Sequence, residues 1–207
     1  MTMVMPPLFT ADKCSAGAKI KAEGRRITFN PVDGCALCTP AVAGSVRVLC
    51  LTVMRDGDYS SQLGLAPPSA DLEKGLHQQE GVCLWSGNVY VNGQRQRVGV
   101  DAGPEPILVW RSEPPAGAAA TAAGTLIIYA DEEERCRLPV PSGSVHFACS
   151  GDINGKADFE IDVERTEAAQ REAEKGQQAF AEWLEKEAEE KAQAAASGGG
   201  GGGCLIS

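Results

Sequence analysis

Short runs of apolar and β-branched residues, separated by turn residues, occupy most of the chain up to about residue 163. The run Val46–Val53 is followed by the turn residues Asp56-Gly57, and turn residues also separate the later apolar runs. The last run, Ala157–Val163, alternates apolar and acidic residues, which is typical of a strand with one buried and one solvated face. Many short strands at this spacing predict an antiparallel β-sandwich or barrel.

Two features predict how some of these strands pair. Asn92-Gly93 lies between the runs Val89–Val91 and Gln94–Val100, and both residues of this dipeptide tolerate a positive φ. The sequence therefore predicts a tight hairpin at this point. The apolar runs Ile107–Trp110 and Thr125–Tyr129 are expected to form a second pair across a loop rich in Ala, Gly and Pro.

The order of these segments resembles that of the SPRY (B30.2-like) domain over about residues 30–163. The matching segments, each with the family motif in parentheses, are Ser45–Val53 (YWEV), Ser61–Ala66 (W-x-IGVA), Gly81–Gly93 (GW…G…Y…NG), Ile107–Trp110 (VIGVLLD), Gly124–Tyr129 (GTLSFY) and Val145–Ser150 (YPAVSL). The chain departs from the family at residues 103–106, where Gly-Pro-Glu-Pro replaces the family's Gly-Asp, and its first matching strand lacks the aromatic dipeptide. The resemblance implies a bent antiparallel β-sandwich that binds a protein or peptide through its loops.

Residues 164–197 have a different composition, dominated by Glu, Ala, Lys and Gln, which predicts a charged helix. Phe180, Trp183 and Leu184 share one face of this helix. One hypothesis is that this face docks on the sandwich, so that the rest of the helix is a solvated spacer; about 30 residues of helix would span about 45 Å. The other is that the face binds a partner or forms a weak dimer with a second copy.

The chain ends with six glycines, Gly198–Gly203, followed by Cys204-Leu205-Ile206-Ser207. The last four residues fit the C-a-a-X motif for prenylation of the cysteine, and Ser at the final position indicates a farnesyl group. A glycine lead suits this chemistry because it places no side chains in the way of the transferase. By resemblance to farnesylated small GTPases and DnaJ-type chaperones, Leu205–Ser207 would be removed and Cys204 would become a methyl ester.

These observations divide the chain into four parts. They are an N-terminal extension (1–12), a SPRY-like β-sandwich (13–163), a charged helix (164–197) and a flexible Gly linker with the C-a-a-X motif (198–207). The predicted fold class is therefore mainly β, with an acidic α-helix and a disordered tail after the sandwich.

Charge and hydropathy exclude several classes of function. Asp and Glu number 28 against 19 Lys and Arg, and the net charge of −9 argues against a nucleic-acid partner. No apolar stretch approaches the roughly 18 residues of a membrane-spanning helix. Residues 1–10 lack the pattern of a secretory signal, so we expect the eight cysteines to be reduced thiols, most of them in the core.

The remaining candidates for chemistry are weak, and we predict no catalytic residue, no cofactor and no metal site. Cys35 and Cys38 form a CxxC, but no second pair of ligands accompanies it, so a structural use is favoured over zinc or redox chemistry. The acidic run Asp131–Glu134 is interpreted as a solvated turn between strands. A catalytic pair such as Cys149 with His77 has no other support in the sequence.

The resulting hypothesis is a non-enzymatic protein-interaction module, held on the cytoplasmic face of a membrane by a farnesyl group on Cys204. In this hypothesis the sandwich loops bind the protein ligand, the helix separates the sandwich from the bilayer, and one lipid gives only reversible attachment. Two alternatives stay open at this point. One is an enzyme built on a β-sandwich, and the other is a soluble scaffold whose C-a-a-X-like end is unused.

Overall fold

The β-branched runs form strands in the structure, a computed structural model that describes residues 6–30, 33–56, 61–112, 124–140, 145–151 and 156–198. The strands of these ranges are, in chain order, β1 (Leu8–Cys14), β2 (Ala18–Lys21), β3 (Arg26–Phe29), β4 (Gly34–Thr39), β5 (Val46–Asp56), β6 (Gln62–Ala66), β7 (Val82–Trp85), β8 (Asn88–Val91), β9 (Gln94–Val98), β10 (Ile107–Ser112), β11 (Gly124–Ala130), β12 (Glu133–Val140), β13 (His146–Gly151) and β14 (Lys156–Ile161). Short 3-10 helices follow β2 (Ala22–Gly24) and precede β7 (Leu76–Gln78).

The strands form two antiparallel sheets, so the predicted sandwich is confirmed. The first sheet has the order β1-β4-β13-β6-β7-β8-β9, and the second has the order β12-β11-β10-β5-β14-β3-β2. The predicted pairing of β10 with β11 is present, and Asn92-Gly93 joins β8 to β9 with both residues at positive φ. β1 begins at Leu8 and pairs with β4, so the first sheet includes residues on both sides of position 13.

The main core lies between the two sheets. It is built from alternate residues of nearly every strand, and its largest members include Phe29, Leu49, Leu108, Phe147 and Phe159, all at most 1% exposed. Phe29 and Phe159 meet edge to face, with ring centroids 6.2 Å apart. Since each such side chain contributes about 1.5–3 kcal/mol when buried, this core supplies the main driving force for folding.

The second sheet is apolar on its outer face as well, and two helices cover it. Val48, Val109 and Ile127 lie on that face, under the helices α1 (Val163–Lys175) and α2 (Gln177–Gly198). The carboxylate of Asp162 caps α1 by accepting a hydrogen bond from the backbone N–H of Arg165 at 2.9 Å. Neither helix in the described part of the chain is long and apolar enough to cross a bilayer.

The predicted single helix is broken at Gly176, where φ is 136°. Arg165 Nε lies 3.0 Å from Glu187 Oε2. The two residues lie equally far from Gly176 along the chain, one before it and one after it. The two helices are therefore an antiparallel hairpin lying against the sheet. This corrects the prediction of a spacer, because an element folded back on the sandwich cannot hold it at a distance.

The apolar helix face docks on the sandwich, as in the first of the two hypotheses for it. Phe180 is 2% exposed and Leu184 is 7% exposed, while Trp183 is half-buried and stacks on Phe180 at 5.6 Å between centroids. Tyr129 of β11 meets Phe180 edge to face at 5.6 Å. The face predicted for a weak dimer is therefore already occupied within the chain.

An ionic cluster attaches the hairpin to the loops of the sandwich. The carboxylate of Glu132 accepts hydrogen bonds from the guanidinium of Arg165 and from the ammonium of Lys191, each at 2.8 Å. The ammonium of Lys191 also lies 2.8 Å from the carboxylate of Glu105. The side chain of Glu132 is only 8% exposed. The interpretation of Asp131–Glu134 as a solvated turn between strands holds for the exposed residues Asp131, Glu133 and Glu134, although Glu133 and Glu134 already belong to β12. It is wrong for Glu132, whose side chain is buried in the ion-pair cluster.

Candidate functional site

A cleft of about 380 Å³ opens at one end of the sandwich, where three segments converge. The first is the start of β6 with Ser61, the second is the β7–β8 turn with Trp85, and the third is the segment from Gly99 to Ala102, which crosses from one sheet to the other. Because neighbouring strands are antiparallel, the start of β6 and the end of β7 meet at the same end of the sheet. Residues distant in sequence therefore share one concave surface.

Tight turns give the cleft a defined wall. Ser86 and Gly87 have φ values of 49° and 73°, as required in a two-residue hairpin turn between twisted strands. The carbonyl of Gly87 accepts hydrogen bonds from the N–H groups of Gly99 at 2.7 Å and Val100 at 2.9 Å. These bonds fix the crossing segment against the turn, so this part of the cleft is preformed.

Trp85 ends β7 at the rim of the cleft, and its indole lies on the outer face of the first sheet, whereas its neighbour Leu84 faces the core between the sheets. The side chain of Trp85 is half-buried, and the imidazole of His77 stacks on it with centroids 4.0 Å apart. Tyr90 supports the same indole at 5.7 Å, and Gln62 orients His77 through its side-chain oxygen at 3.1 Å from Nδ1. This packing holds the end of β7 and the turn after it in place at the rim of the cleft.

Two buried polar atoms beside the cleft lack hydrogen-bond partners. They are the hydroxyl oxygen of Ser61, which lines the cleft, and the amide oxygen of Asn88, which lies next to the β7–β8 turn; neither has a partner among the described residues. Asn88 uses its amide nitrogen to donate to the carbonyl of Ser86 at 3.0 Å, which fixes which end of the amide is left unpaired. A buried polar atom without a partner costs about 1–3 kcal/mol, so these two atoms lower the stability of this end of the sandwich.

The residues of the CxxC do not form a site together. Cys35 and Cys38 both lie in β4, three positions apart, and therefore face opposite sides of the sheet. Cys38 packs in the core between the sheets, whereas Cys35 packs under the loop that precedes β7. Burial raises the pKa of the Cys35 thiol to about 12, so it stays protonated at neutral pH.

The pair Cys149 and His77 is not assembled either. Cys149 lies in the core between the sheets, and burial raises the pKa of its thiol well above the ordinary 9.0. His77 lies on the other face of the first sheet, against Trp85. The two side chains are therefore separated by the sheet, and the thiolate that nucleophilic chemistry requires is disfavoured.

Of the other predicted site residues, Cys204, Leu205, Ile206 and Ser207 lie outside the described residues. Phe180, Trp183 and Leu184 pack on the second sheet, as described above. Sequence patterns did not single out Ser61, Trp85 or Asp101 as a site. The one local signal was the turn residue pair Ser86-Gly87 directly after a tryptophan, which placed an aromatic ring at the end of a strand.

Comparisons with known proteins agree on the fold. No protein-family model matches this chain, and no curated protein matches it in sequence. Among solved structures, the PSpry domain of TRIM65 superposes with a TM-score of 0.54 at 10% identity, covering 76% of this chain and 89% of that one. The SPRY domain of human HERC1 gives a TM-score of 0.52 at 13% identity, with 74% and 96% covered. The two-sheet sandwich of this chain therefore has the fold of a SPRY domain.

Proposed function

We propose that this chain is a non-enzymatic protein-interaction module that binds a peptide segment of its partner in the cleft beside Trp85. The observation that carries the proposal is the preformed cleft of about 380 Å³, which has the hydroxyl of Ser61, the turn Ser86-Gly87 and the carboxylate of Asp101 in its lining. Peptide ligands combine apolar side chains with backbone and side-chain N–H groups, which is the complement of such a surface. The SPRY fold supports the same role, because this fold typically serves as a protein-binding module.

The chemistry of the cleft favours binding over catalysis. Its described lining consists of serine, glycine and aliphatic residues and Trp85 with one carboxylate, Asp101, and among these residues no nucleophile is paired with a base. Asp101 is used structurally, since Oδ1 accepts a hydrogen bond from the N–H of Gly103 at 3.0 Å. A lining of apolar side chains with a few polar groups is typical of a binding site.

Selection from a random peptide library displayed on phage tests this proposal. We expect peptides enriched on the wild-type protein to lose binding to the Ser61→Tyr variant, in which a larger side chain fills the cleft. Ser69→Tyr is the matched control, because Ser69 is exposed in the loop after β6, at the opposite end of that strand. Equal binding of the enriched peptides to all three proteins would refute the cleft as the binding site.

We further propose that the module is attached to the cytoplasmic face of a membrane by a farnesyl group on Cys204. The support is the C-a-a-X sequence and the glycine lead before it. Because α2 folds back on the sandwich, we do not expect it to separate the domain from the bilayer. In this proposal the residues after Gly198 connect the domain to the lipid. A single lipid gives marginal affinity, so we expect both soluble and membrane-bound pools.

Intact mass and fractionation in eukaryotic cells test the lipid proposal. The mature chain should end at Cys204 with the added mass of a farnesyl group and a methyl ester, and Cys204→Ser should be wholly soluble. An unmodified wild-type mass, or identical partitioning of the two proteins, would contradict it. In that case the peptide-binding role would stand as that of a soluble scaffold.

A further inference from the structure

The guanidinium of Arg111 lies where the outer face of the second sheet meets α2. Arg111 is half-buried near the end of β10, and it is opposite Thr125 of β11. Its side chain is on the same face of the sheet as Val109, two positions earlier, which lies under the helices. The guanidinium carbon Cζ is 6.0 Å from the ring centroid of Phe180 in α2. Arg111 therefore belongs to the junction between the sheet and the hairpin.

This guanidinium lacks the carboxylate that accompanies other partly buried arginines of the chain. Arg26 is paired with Asp158, and Arg165 is paired with Glu132. Within the part of the chain that the structure describes, no carboxylate lies within ion-pair distance of Arg111. Burial lowers the pKa of Arg111 from its ordinary 12.5, because the cation has lost water without gaining a counter-charge. Since arginine stays charged at neutral pH, an anion placed beside it would stabilise it.

A second guanidinium lies on the same face of the sheet. Arg137 is opposite Ile127 of β11 and Arg111 is opposite Thr125, so the two side chains project on either side of β11. The positive charge of Arg137 lowers the pKa of Arg111 further. Arg137 is itself neutralised by Glu134, to which it donates hydrogen bonds of 3.0 and 2.8 Å. Of these two arginines, Arg111 is therefore the one without a counter-charge in the described residues.

Aromatic side chains border this cation. Tyr129 meets the ring of Phe180 edge to face and Trp183 stacks on it, each with 5.6 Å between centroids. Tyr129 and Trp183 are half-buried, so part of each ring is accessible. The Arg111 surface, which consists of Arg111, Arg137, Tyr129 and Trp183, thus combines one unpaired positive charge with accessible aromatic area. Arginine and aromatic residues are enriched in protein–protein interfaces.

We propose that the Arg111 surface binds an acidic side chain of a partner protein, whose carboxylate pairs with the guanidinium of Arg111. A carboxylate matches a guanidinium in charge, and it can accept two parallel hydrogen bonds from it. This surface shares no residue with the described lining of the cleft beside Trp85. The inference therefore goes beyond the proposed function and does not depend on that cleft.

Other anions fit this surface less well. A phosphate group carries nearly two negative charges at neutral pH and suits a cluster of free arginines, whereas Arg137 is already paired with Glu134. Nucleic acids and anionic bilayers carry many negative charges, and the net charge of −9 of this chain would repel them. A single carboxylate on a protein surface avoids both difficulties.

Selection from a random peptide library displayed on phage tests the inference on the full chain. Peptides that are retained by the wild-type protein and rejected by Arg111→Met should contain Asp or Glu. A synthetic copy of such a peptide, with asparagine or glutamine in place of the acid, should bind the wild type about tenfold more weakly, because a charge-assisted hydrogen bond is lost. The Ser61→Tyr variant should bind these peptides as the wild type does.

Arg171→Met is the matched control, because it makes the same change in net charge elsewhere. Arg171 is exposed on α1, on the side of the helix away from the buried Ala169 and Ala173, so this variant should bind the selected peptides as the wild type does. Urea denaturation supplies a second measurement. Methionine keeps an apolar side chain beside Phe180 and removes the unpaired charge, so we expect Arg111→Met to be at least as stable as the wild type.

Four results would overturn the inference: no peptide that depends on Arg111, peptides that depend on it but lack acidic residues, equal binding of the acid and amide peptides, or an Arg111→Met variant less stable than the wild type. The last result would mean that the guanidinium serves to hold α2 through Phe180. Failure of the proposed function is distinguishable from these results. If peptides that depend on Arg111 are found and none loses binding to Ser61→Tyr, the Arg111 surface binds a partner and the cleft does not.

Discussion

One edge of strand β5 is only partly paired with a neighbouring strand, and side chains of α1 bond to the backbone groups that are left. A substitution at Thr166 therefore tests whether these hydrogen bonds hold the helical hairpin on the sheet. β14 pairs with β5 only from Leu51 to Asp56, so the backbone groups of Val46–Cys50 on that edge have no strand beside them. Thr166 accepts a hydrogen bond from the N–H of Cys50 at 3.0 Å. One turn later, Gln170 accepts from the N–H of Val48 at 2.8 Å and donates to the carbonyl of Val46 at 3.2 Å.

The variant Thr166→Val removes one of these bonds while nearly keeping the volume of the side chain. Thr166 is 2% exposed, so the N–H of Cys50 would be left buried without a partner, and we expect the free energy of unfolding to fall by about 1–3 kcal/mol. Val and Thr have similar helix propensities, so α1 itself should be little affected. Thr166→Ser keeps the hydroxyl and loses one methyl group, which costs up to about 1 kcal/mol.

Urea denaturation of the wild type and the two variants measures these differences, provided that the m-values agree. We expect Thr166→Val to be the less stable of the two variants. Gln170→Met, which leaves two backbone groups unpaired, should be less stable than either. If Thr166→Ser proved less stable than Thr166→Val, packing of the methyl group would be the dominant contribution, and the account of the β5 edge would be wrong.

The other predictions concern the hairpin, an ion pair and a turn. Truncation after Asp162 removes both helices and exposes the apolar outer face of the second sheet, so we expect the shortened chain to aggregate on size-exclusion chromatography; a monodisperse monomer would refute the covering role. Hydrogen bonding to Lys191 lowers the pKa of Glu105 from its ordinary 4.5, so the stabilisation from this pair is present above that pH and lost as the pH falls through the lowered pKa. Denaturation at a series of pH values should therefore show a smaller loss of stability on acidification for Glu105→Gln than for wild type, and identical pH profiles would contradict this. Gly93→Val should destabilise by more than about 1 kcal/mol because Gly93 has a φ of 75°, and an unchanged denaturation midpoint would show that the turn tolerates a β-branched residue.

Sequence patterns identified the strands whose residues carry their own signal. β5, β10 and β11 are β-branched or apolar runs with turn residues beyond them, and Asn92-Gly93 marks a hairpin by its tolerance of positive φ. The strands that the analysis did not predict are β1 to β4 and β12; of these, β2 and β3 have four residues each, β1 and β12 carry charged residues, and β4 contains no β-branched residue before its terminal Thr39. Whether these segments form strands depends on pairing with residues far away in the chain. For example, Ile27 of β3 is opposite Phe159 of β14, and four residues are too few to show an alternating pattern that would predict such pairing.

The candidate site was harder to predict from the sequence than the fold was. Ser61, Trp85 and Asp101 belong to three segments that only the antiparallel arrangement of β6 to β9 and the crossing to β10 bring together. The cleft is also defined by its shape, which depends on the packing of these segments and cannot be derived from the order of residues alone. The opposite holds for the lipid site proposed at Cys204, because a C-a-a-X motif consists of four consecutive residues and is recognisable without the tertiary structure.

By itself, the sequence determined the class of the fold, the helical state of residues 164–197 and the candidate lipid site, because turn chemistry, helix propensity and a terminal motif are local properties. Only the tertiary structure decided that Gly176 breaks the helix, and that Phe180 and Leu184 lie on the second sheet rather than on a partner. The physical reason is that an amphipathic face is compatible with any apolar surface of the right size. The sheet formed by β5, β10 and β11 presents such a surface on the same chain, and the open edge of β5 fixes where α1 must lie.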